Sequence, residues 1–305
     1  ECVILTVNYG DSNYVGRSIC LDMGRSMVGA SNAWVGTFYR PENNMGVNKY
    51  YKINGTTGKI DAEVKLPSGH HAYGCTADAH NIIWSTDIYG SLAYFKATSP
   101  YSVGAKLKAP WVSSSGTTTH YHYGIAVDSK SDIWLGGYTA NWVLRYQPGR
   151  SSFAALGTGK WTRVDLNSAY KTRGVAADSR GFIWVAIHEG YIVRLAQNLP
   201  VGVHDRKSTK NIWPVKSNTV IGVGVDFKGN VWGVGHKYGY ASRLDVDKAG
   251  NVTATGTSKY VKIGENPYTY SDFTGYGLMN FIRPSGRYIY QLNPCPKGIR
   301  AQWKQ

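Results

Sequence analysis

Apolar residues along this chain fall in short runs cut by turn residues, and no stretch keeps the 3.6-residue spacing of an amphipathic helix. The clearest stretch is Tyr123-Gly124-Ile125-Ala126-Val127-Asp128, then the polar turn Ser129-Lys130-Ser131-Asp132, then Ile133-Trp134-Leu135-Gly136. Two apolar runs around an Asp-led turn predict a β-hairpin. The same pattern starts at Tyr73-Gly74, Arg173-Gly174 and Ile221-Gly222. It ends on Trp84, Trp134, Trp184 and Trp232, with degraded copies around Trp34 and around Tyr276-Gly277 to Tyr290. The period is about fifty residues, the signature of a repeat architecture.

After each hairpin comes a third run carrying a basic residue, as in Val143-Leu144-Arg145-Tyr146 and Ile192-Val193-Arg194-Leu195. A fourth run closes the unit, clearest in Ile60-Asp61-Ala62-Glu63-Val64-Lys65 after the turn at Asn54-Gly55. Four strands per repeat make one blade of a β-propeller. The expectation is an all-β, single-domain, six-bladed β-propeller of four-stranded blades over residues 1–305. Its repeats fall at about 24–73, 74–123, 124–173, 174–221, 222–276 and 277–305, with residues 1–23 as a closing strand; seven blades result if 1–23 supply more than that.

Composition fits half-buried strands joined by tight turns: aromatic residues are 13%, charged residues 17%, and glycines number 36. No run is long and apolar enough for a membrane span, and the first residue is Glu1, so a processed, secreted protein is expected, extracellular or periplasmic. Lys and Arg total 34 against 19 acids, a net charge of +15. That field attracts anionic polymers and surfaces. The charges are dispersed and no nucleic-acid-binding motif is present, so sequence-specific nucleic-acid recognition is not expected. Cys75 stands where other copies have Ile125, Val175 and Val223, which predicts a buried core thiol. Cys2 and Cys295 lie near the two ends, where a bridge would staple the ring.

Repeats separate scaffold from site. Residues that recur in every copy, such as Asp78, Asp128, Asp178, Asp226 and the Trp series, read as architecture: turn hydrogen bonding for the Asp, packing between neighbouring blades for the Trp. Pattern-breaking residues in the loops that open on one face of a propeller are the candidates. That face is expected to carry His70, His71, His120, His122, His188 and His236, whereas His80 and His204 read as surface residues. It also gathers Tyr121, Tyr138, Trp142, Tyr238, Tyr240, Tyr268, Tyr270 and Tyr276. Arg173, in register with Tyr73 and Tyr123, points a cation the same way. Aromatic platforms beside polar side chains suit sugar rings. The ligand-binding candidates are therefore His71, His120, His122, Tyr138, Trp142, Arg173, Tyr238, Tyr270 and Tyr276. Convergent histidines also suggest a divalent metal, with His122, His188, His236 and Glu189 as the ligand set.

The unit Gly-x-x-x-Asp-x-x-Gly-x-(Ile/Val)-Trp, the (Val/Ala)-x-Arg-Leu strand and the Thr56-Thr57-Gly58-Lys59 hairpin resemble the virginiamycin B lyase-like propellers, and more distantly NHL-repeat proteins, over about residues 24–292. The resemblance implies a propeller, and a metal-dependent lyase whose catalytic His precedes the Gly of an inner strand. Here that residue is Tyr73, Tyr123, Arg173, Ile221 or Tyr276, so no catalytic residue carries over. The leading expectation is a secreted, non-enzymatic propeller binding a glycan or anionic surface polymer. Its alternatives are a metal-dependent lyase or hydrolase, and a structural subunit with protein partners in an extracellular assembly.

Overall fold

The computed structural model describes residues 7, 14–22, 32–39, 48–112, 121–226 and 228–268. These form five sheets, three of them meanders built from consecutive strands alone. Blade 1 is β1 (Tyr14–Leu21), β2 (Ala33–Tyr39), β3 (Lys49–Ile53) and β4 (Ile60–Lys65). Blade 2 is β5 (Gly74–Ala77), β6 (Ile82–Thr86), β7 (Ser91–Lys96) and β8 (Leu107–Lys108). Blade 3 is β9 (Ile125–Val127), β10 (Ile133–Gly136), β11 (Trp142–Gln147) and β12 (Lys160–Asp165), with a single 3-10 turn at Ala154–Thr158.

Blade 4 is β13 (Thr172–Ala177), β14 (Phe182–Ile187) and β15 (Tyr191–Ala196). Its connecting chain supplies β16 (Gly202–Asp205), which leaves the blade and pairs in parallel with β12 of blade 3. It then returns as β17 (Ile212–Pro214) to pair with β15. Blade 5 is β18 (Val220–Val225), β19 (Val231–Gly235), β20 (Tyr240–Val246), β21 (Val252–Ala254) and β22 (Tyr260–Lys262), the last two both pairing with β20. The all-β propeller is thus the fold; the sixth copy lies outside the described residues.

One hydrogen-bonded pair explains the repeat. In blades 2 to 5 the Asp carboxylate accepts the indole N–H of the Trp six residues on, at 2.8–3.0 Å. Its other oxygen accepts backbone N–H groups two and four residues on, which closes the hairpin turn. Blade 1 keeps the pair as Asp22 and Trp34, at 3.2 Å and twelve residues apart. Residues 14–21, expected within a closing strand, are therefore the inner strand of blade 1. An insertion between Asp22 and Trp34 hid that register.

Each Trp packs into the next blade. Trp34 joins Cys75 and Phe95 of blade 2, Trp84 joins Ile125 and Tyr146 of blade 3, Trp134 joins Val175 of blade 4, and Trp184 joins Val223 of blade 5. All four are fully buried. Burying side chains of this size stabilises each junction by about 1.5–3 kcal/mol. The recurring basic residue belongs to the same framework: Lys52, Arg145, Arg194 and Arg243 each lie over the Trp of their own blade. Arg145 also donates to the Gln197 and Leu199 carbonyls beyond blade 4.

The inner strands meet backbone to backbone. A β-carbon on Gly124 would lie 2.6 Å from the Gly174 Cα, and one on Gly174 would lie 3.1 Å from the Gly222 Cα. The repeat glycine is therefore an axial packing requirement. In blade 1 the same register position is Ser18, whose hydroxyl donates to Tyr50 Oη or the Ala72 carbonyl.

Cys75 is buried, as its register predicts, but it is not a free thiol: it is bridged to Cys20, with Cα atoms 5.8 Å apart. The reason is that β1 and β5 are neighbouring inner strands, which brings Cys20 beside it. Cys2 and Cys295 lie outside the described residues. Among the described residues no helix is long and apolar enough to cross a membrane.

Candidate functional site

Two register positions build the mouth of the ring. The residue five before each Asp is Arg17, Tyr73, Tyr123, Arg173 or Ile221, and the residue four after each Trp is Phe38, Ile88, Tyr138, His188 or His236. Phe38, Tyr73, Ile88, Tyr123 and Ile221 come together from four blades as one buried cluster, with Tyr138 packed on it. Above them is a cavity of about 170 Å³ lined by Arg17, Phe38, Tyr73, Ile88, Tyr89, Tyr138 and Tyr268.

The aromatic rings form a ladder: Phe38 to Tyr73 at 6.2 Å, Tyr73 to Tyr123 at 5.8 Å, and Tyr123 to Tyr138 at 5.4 Å between centroids. A guanidinium caps each end. Arg17 lies 5.7 Å over Phe38 and 5.6 Å over Tyr73; Arg173 lies 4.0 Å over Tyr138 and 5.5 Å over Tyr123. Such contacts hold a cation against a ring face.

Arg173 is buried and tied down. It donates to the Tyr138 carbonyl and to His188 Nδ1 at 3.1 Å. Burial lowers its pKa, and the nearby Tyr138, Tyr123, Glu189 and Tyr268 act the other way. His188 is itself held below the ordinary imidazole range by burial and then by Arg173. Accepting at Nδ1 puts its ring proton on Nε2. A neighbouring glycine makes room: a β-carbon on Gly136 would lie 1.8 Å from the Arg173 carbonyl oxygen.

Behind the cavity wall runs a buried polar string. Tyr50 Oη donates to Ser85 Oγ at 3.0 Å, His70 contacts Ser85 Oγ at 3.0 Å and Ser91 Oγ at 2.7 Å, and Ser91 Oγ donates to Asp87 at 3.1 Å. A carboxylate only accepts, so the string is ordered: His70 Nδ1–H donates to Ser91, and Nε2 accepts from Ser85. Asp87 also accepts the Tyr89 N–H at 3.0 Å, which fixes the loop that lines the cavity. Burial raises the Asp87 pKa and keeps His70 neutral.

The sequence-derived candidates divide. Tyr138 lines the cavity and Arg173 caps its ladder. His71 sits one layer back, edge-on to Phe38 and Tyr89, each at 5.3 Å. His122 is fully buried, 3.2 Å from Thr86 Oγ1, and burial lowers its pKa to about 4. His70 and His122 therefore face the interior and not the rim. Trp142 stacks between Tyr121 and Arg163 on blade 3, and Tyr238 lies exposed beside Lys237. His236 contacts the Pro267 carbonyl and Tyr268, and Glu189 accepts the Lys171 N–H. Among the described residues no three His, Cys, Asp or Glu side chains converge in a way that could hold a metal ion. His120, Tyr270 and Tyr276 lie outside the described residues.

Arg17, Phe38, Ile88 and Tyr89 were not anticipated. Carrying the Asp and Trp register into blade 1 would have found the first two, because Arg17 is to Asp22 what Arg173 is to Asp178.

No family model and no curated protein matches this chain. Among solved structures it is similar to a catalytically inactive virginiamycin B lyase from Staphylococcus aureus with quinupristin, at 15% identity, covering 87% of this chain and 76% of that one, with a TM-score of 0.60. It is similar to a streptogramin B lyase at 15% identity, covering 84% and 71%, with a TM-score of 0.57. A protein from Lactobacillus plantarum matches at 11% identity over 78% and 69%, with a TM-score of 0.57. At such identities the likeness establishes the propeller fold alone.

Proposed function

We propose that this chain is an exported, non-enzymatic propeller that binds an acidic glycan at the mouth of its ring. The observation that carries the reading is the aromatic ladder with Arg17 and Arg173 at its ends, beside a cavity whose lining, among the described residues, includes Arg17 and no carboxylate. Aromatic faces take the apolar side of a sugar ring, phenol hydroxyls bond its hydroxyls, and guanidinium forks take its acid. The net charge of +15 favours approach of such a polymer. The Cys20–Cys75 bridge supports export, since disulfides persist in oxidising compartments.

We also propose one domain of six blades. Trp232, unlike the four repeat Trp before it, is only partly buried, and Ile19 on β1 is 69% exposed, so among the described residues the outer faces of blades 5 and 1 are the least covered by apolar neighbours. The sixth sequence copy would cover them.

Calorimetric titration with polygalacturonate and with dextran tests the binding reading. Binding to the acidic polymer alone, weakened by salt and by Arg173→Gln, is the expected result. Equal binding to dextran, or none to either polymer, would overturn it.

A further inference from the structure

The turn between β3 and β4 carries the one Asn-Gly pair in the chain, Asn54-Gly55. An Asn has an electrophile in its side-chain carbonyl carbon, and the backbone nitrogen of the next residue is a nucleophile that can close a five-membered ring on it. Glycine puts no side chain in the way of that closure and gives the backbone the freedom the ring needs. At every other described Asn the next residue carries a side chain, and at Asn266 it is Pro267, which has no N–H to lose.

The fold arranges the groups around this pair. Asn54 Oδ1 accepts the N–H groups of Thr56 and Thr57, both at 2.9 Å, so two donors already aim at the oxygen on which charge develops when its carbon is attacked. They also draw the side chain forward along its own following peptide, the direction that ring closure requires. The Gly55 N–H donates to Asn32 Oδ1 at 3.3 Å, a long bond to a neutral acceptor. Asn54 Nδ2, the group that would leave, donates to Asp61 Oδ2 at 2.9 Å. Gly55, Thr56 and Thr57 are exposed, so water and hydroxide reach the turn.

We infer that Asn54 is a self-modification site, where the protein deamidates through a cyclic imide formed with Gly55. The Gly55 nitrogen gives its proton to hydroxide and attacks Asn54 Cγ. The bond from Cγ to Nδ2 then breaks, and ammonia leaves with a proton taken from water. A second water opens the imide at one of its two carbonyls, which leaves an aspartyl or an isoaspartyl residue at position 54 and changes no oxidation state. Either product sets a carboxylate against Asp61, where the amide had donated a hydrogen bond. The repulsion falls on the turn that Asn54 closes through its backbone bonds with Gly58 and Lys59. The outermost strand of blade 1, β4, is thereby loosened from β3. This modification is independent of the glycan reading.

The test is incubation of the whole folded protein in neutral and in alkaline buffer, followed by tryptic mapping. Cleavage after Lys52 and Lys59 isolates Ile53–Lys59, whose only Asn is Asn54. The expected result is conversion of that peptide to aspartyl and isoaspartyl forms, faster in alkali. It should run about tenfold or more faster than conversion at Asn167-Ser168, an exposed Asn whose Oδ1 accepts the Ala169 N–H. Gly55→Ala should slow it by about tenfold or more, and a melt of that variant checks that the turn survives. Asn54→Asp, the aspartyl product, should melt below the parent. A synthetic Ile53–Lys59 peptide with blocked ends is the reference for the unfolded chain. Folded protein that converts more than about tenfold slower than this peptide would show that the turn shields Asn54, and would overturn the site. A rate no greater than that at Asn167 would overturn it too. Asn54→Asp melting with the parent would overturn the loosening of β4.

Discussion

Gly174 occupies with its Cα the space that a side chain on Gly124 would need: the two inner strands approach until a β-carbon on Gly124 would stand 2.6 Å away. No rotamer change relieves such a contact, because both partners are backbone. Gly124→Ala should therefore destabilise the protein by about 1–3 kcal/mol or more. Gly74→Ala should cost less, since the atoms nearest its β-carbon are side-chain methyls at 3.2 and 3.3 Å. Urea denaturation of the two variants gives the ranking, and the reverse order would refute this account of the axis.

Gly136 makes a separate prediction, for binding. Its missing β-carbon leaves space for the Arg173 carbonyl at 1.8 Å, so Gly136→Ala should push the Arg173 main chain away from its place beside Tyr138. Affinity for an acidic glycan should fall about tenfold, the scale of one misplaced charged hydrogen bond. Calorimetry on a variant that still melts cooperatively would decide; unchanged affinity would count against Arg173 as a ligand group.

Acid should weaken the fold through His122. Burial lowers its pKa from 6.5 to about 4, so between those values the unfolded chain holds a proton that the folded protein refuses. Stability is then full above pH 6.5 and falls as pH drops through that window, by on the order of 3 kcal/mol in all. Asp132 works against this. Burial, and then Asp128, raise its pKa to about 6, so acidification from there restores some stability. His122→Gln removes only the first effect. Its loss of stability between about pH 7 and about pH 5 should be smaller than the parent's by roughly 2 kcal/mol, read from denaturation curves at each pH.

Reducing the Cys20–Cys75 bridge should cost about 2–4 kcal/mol, because it links two inner strands 55 residues apart in sequence. A thermal melt with and without dithiothreitol measures it, against a Cys20→Ala, Cys75→Ala double variant as the fully reduced reference. A melt unmoved by reductant and by the double substitution would show that packing of β1 on β5 suffices alone.

Much of the architecture was legible because each blade restates the same constraints. The Asp to Trp hydrogen bond, the axial glycine and the third-strand cation are local, so a single sequence displays them at a fixed interval. Blade 1 was misread because an insertion separates Asp22 from Trp34, and with that register went Arg17, Cys20 and Phe38. The histidines misled for another reason. Position in a loop before an inner strand does not say which way a side chain turns, and His70 and His122 turn inward because Ser85, Ser91 and Thr86 wait there with hydroxyls. Tyr89 could not be anticipated at all, since its place at the cavity depends on the buried Asp87 that holds its N–H.

The strand β16 changes what kind of object the ring is. Arrays of repeats can lose one unit at a time, each held only by its neighbours' faces. Here the chain of blade 4 is laced into the edge of blade 3, and Arg145 grips that lacing at Gln197 and Leu199. The two blades cannot open independently without breaking a parallel ladder. They form one cooperative block, and Arg173 stands on it, so the cation at the mouth is carried by two blades that must open together.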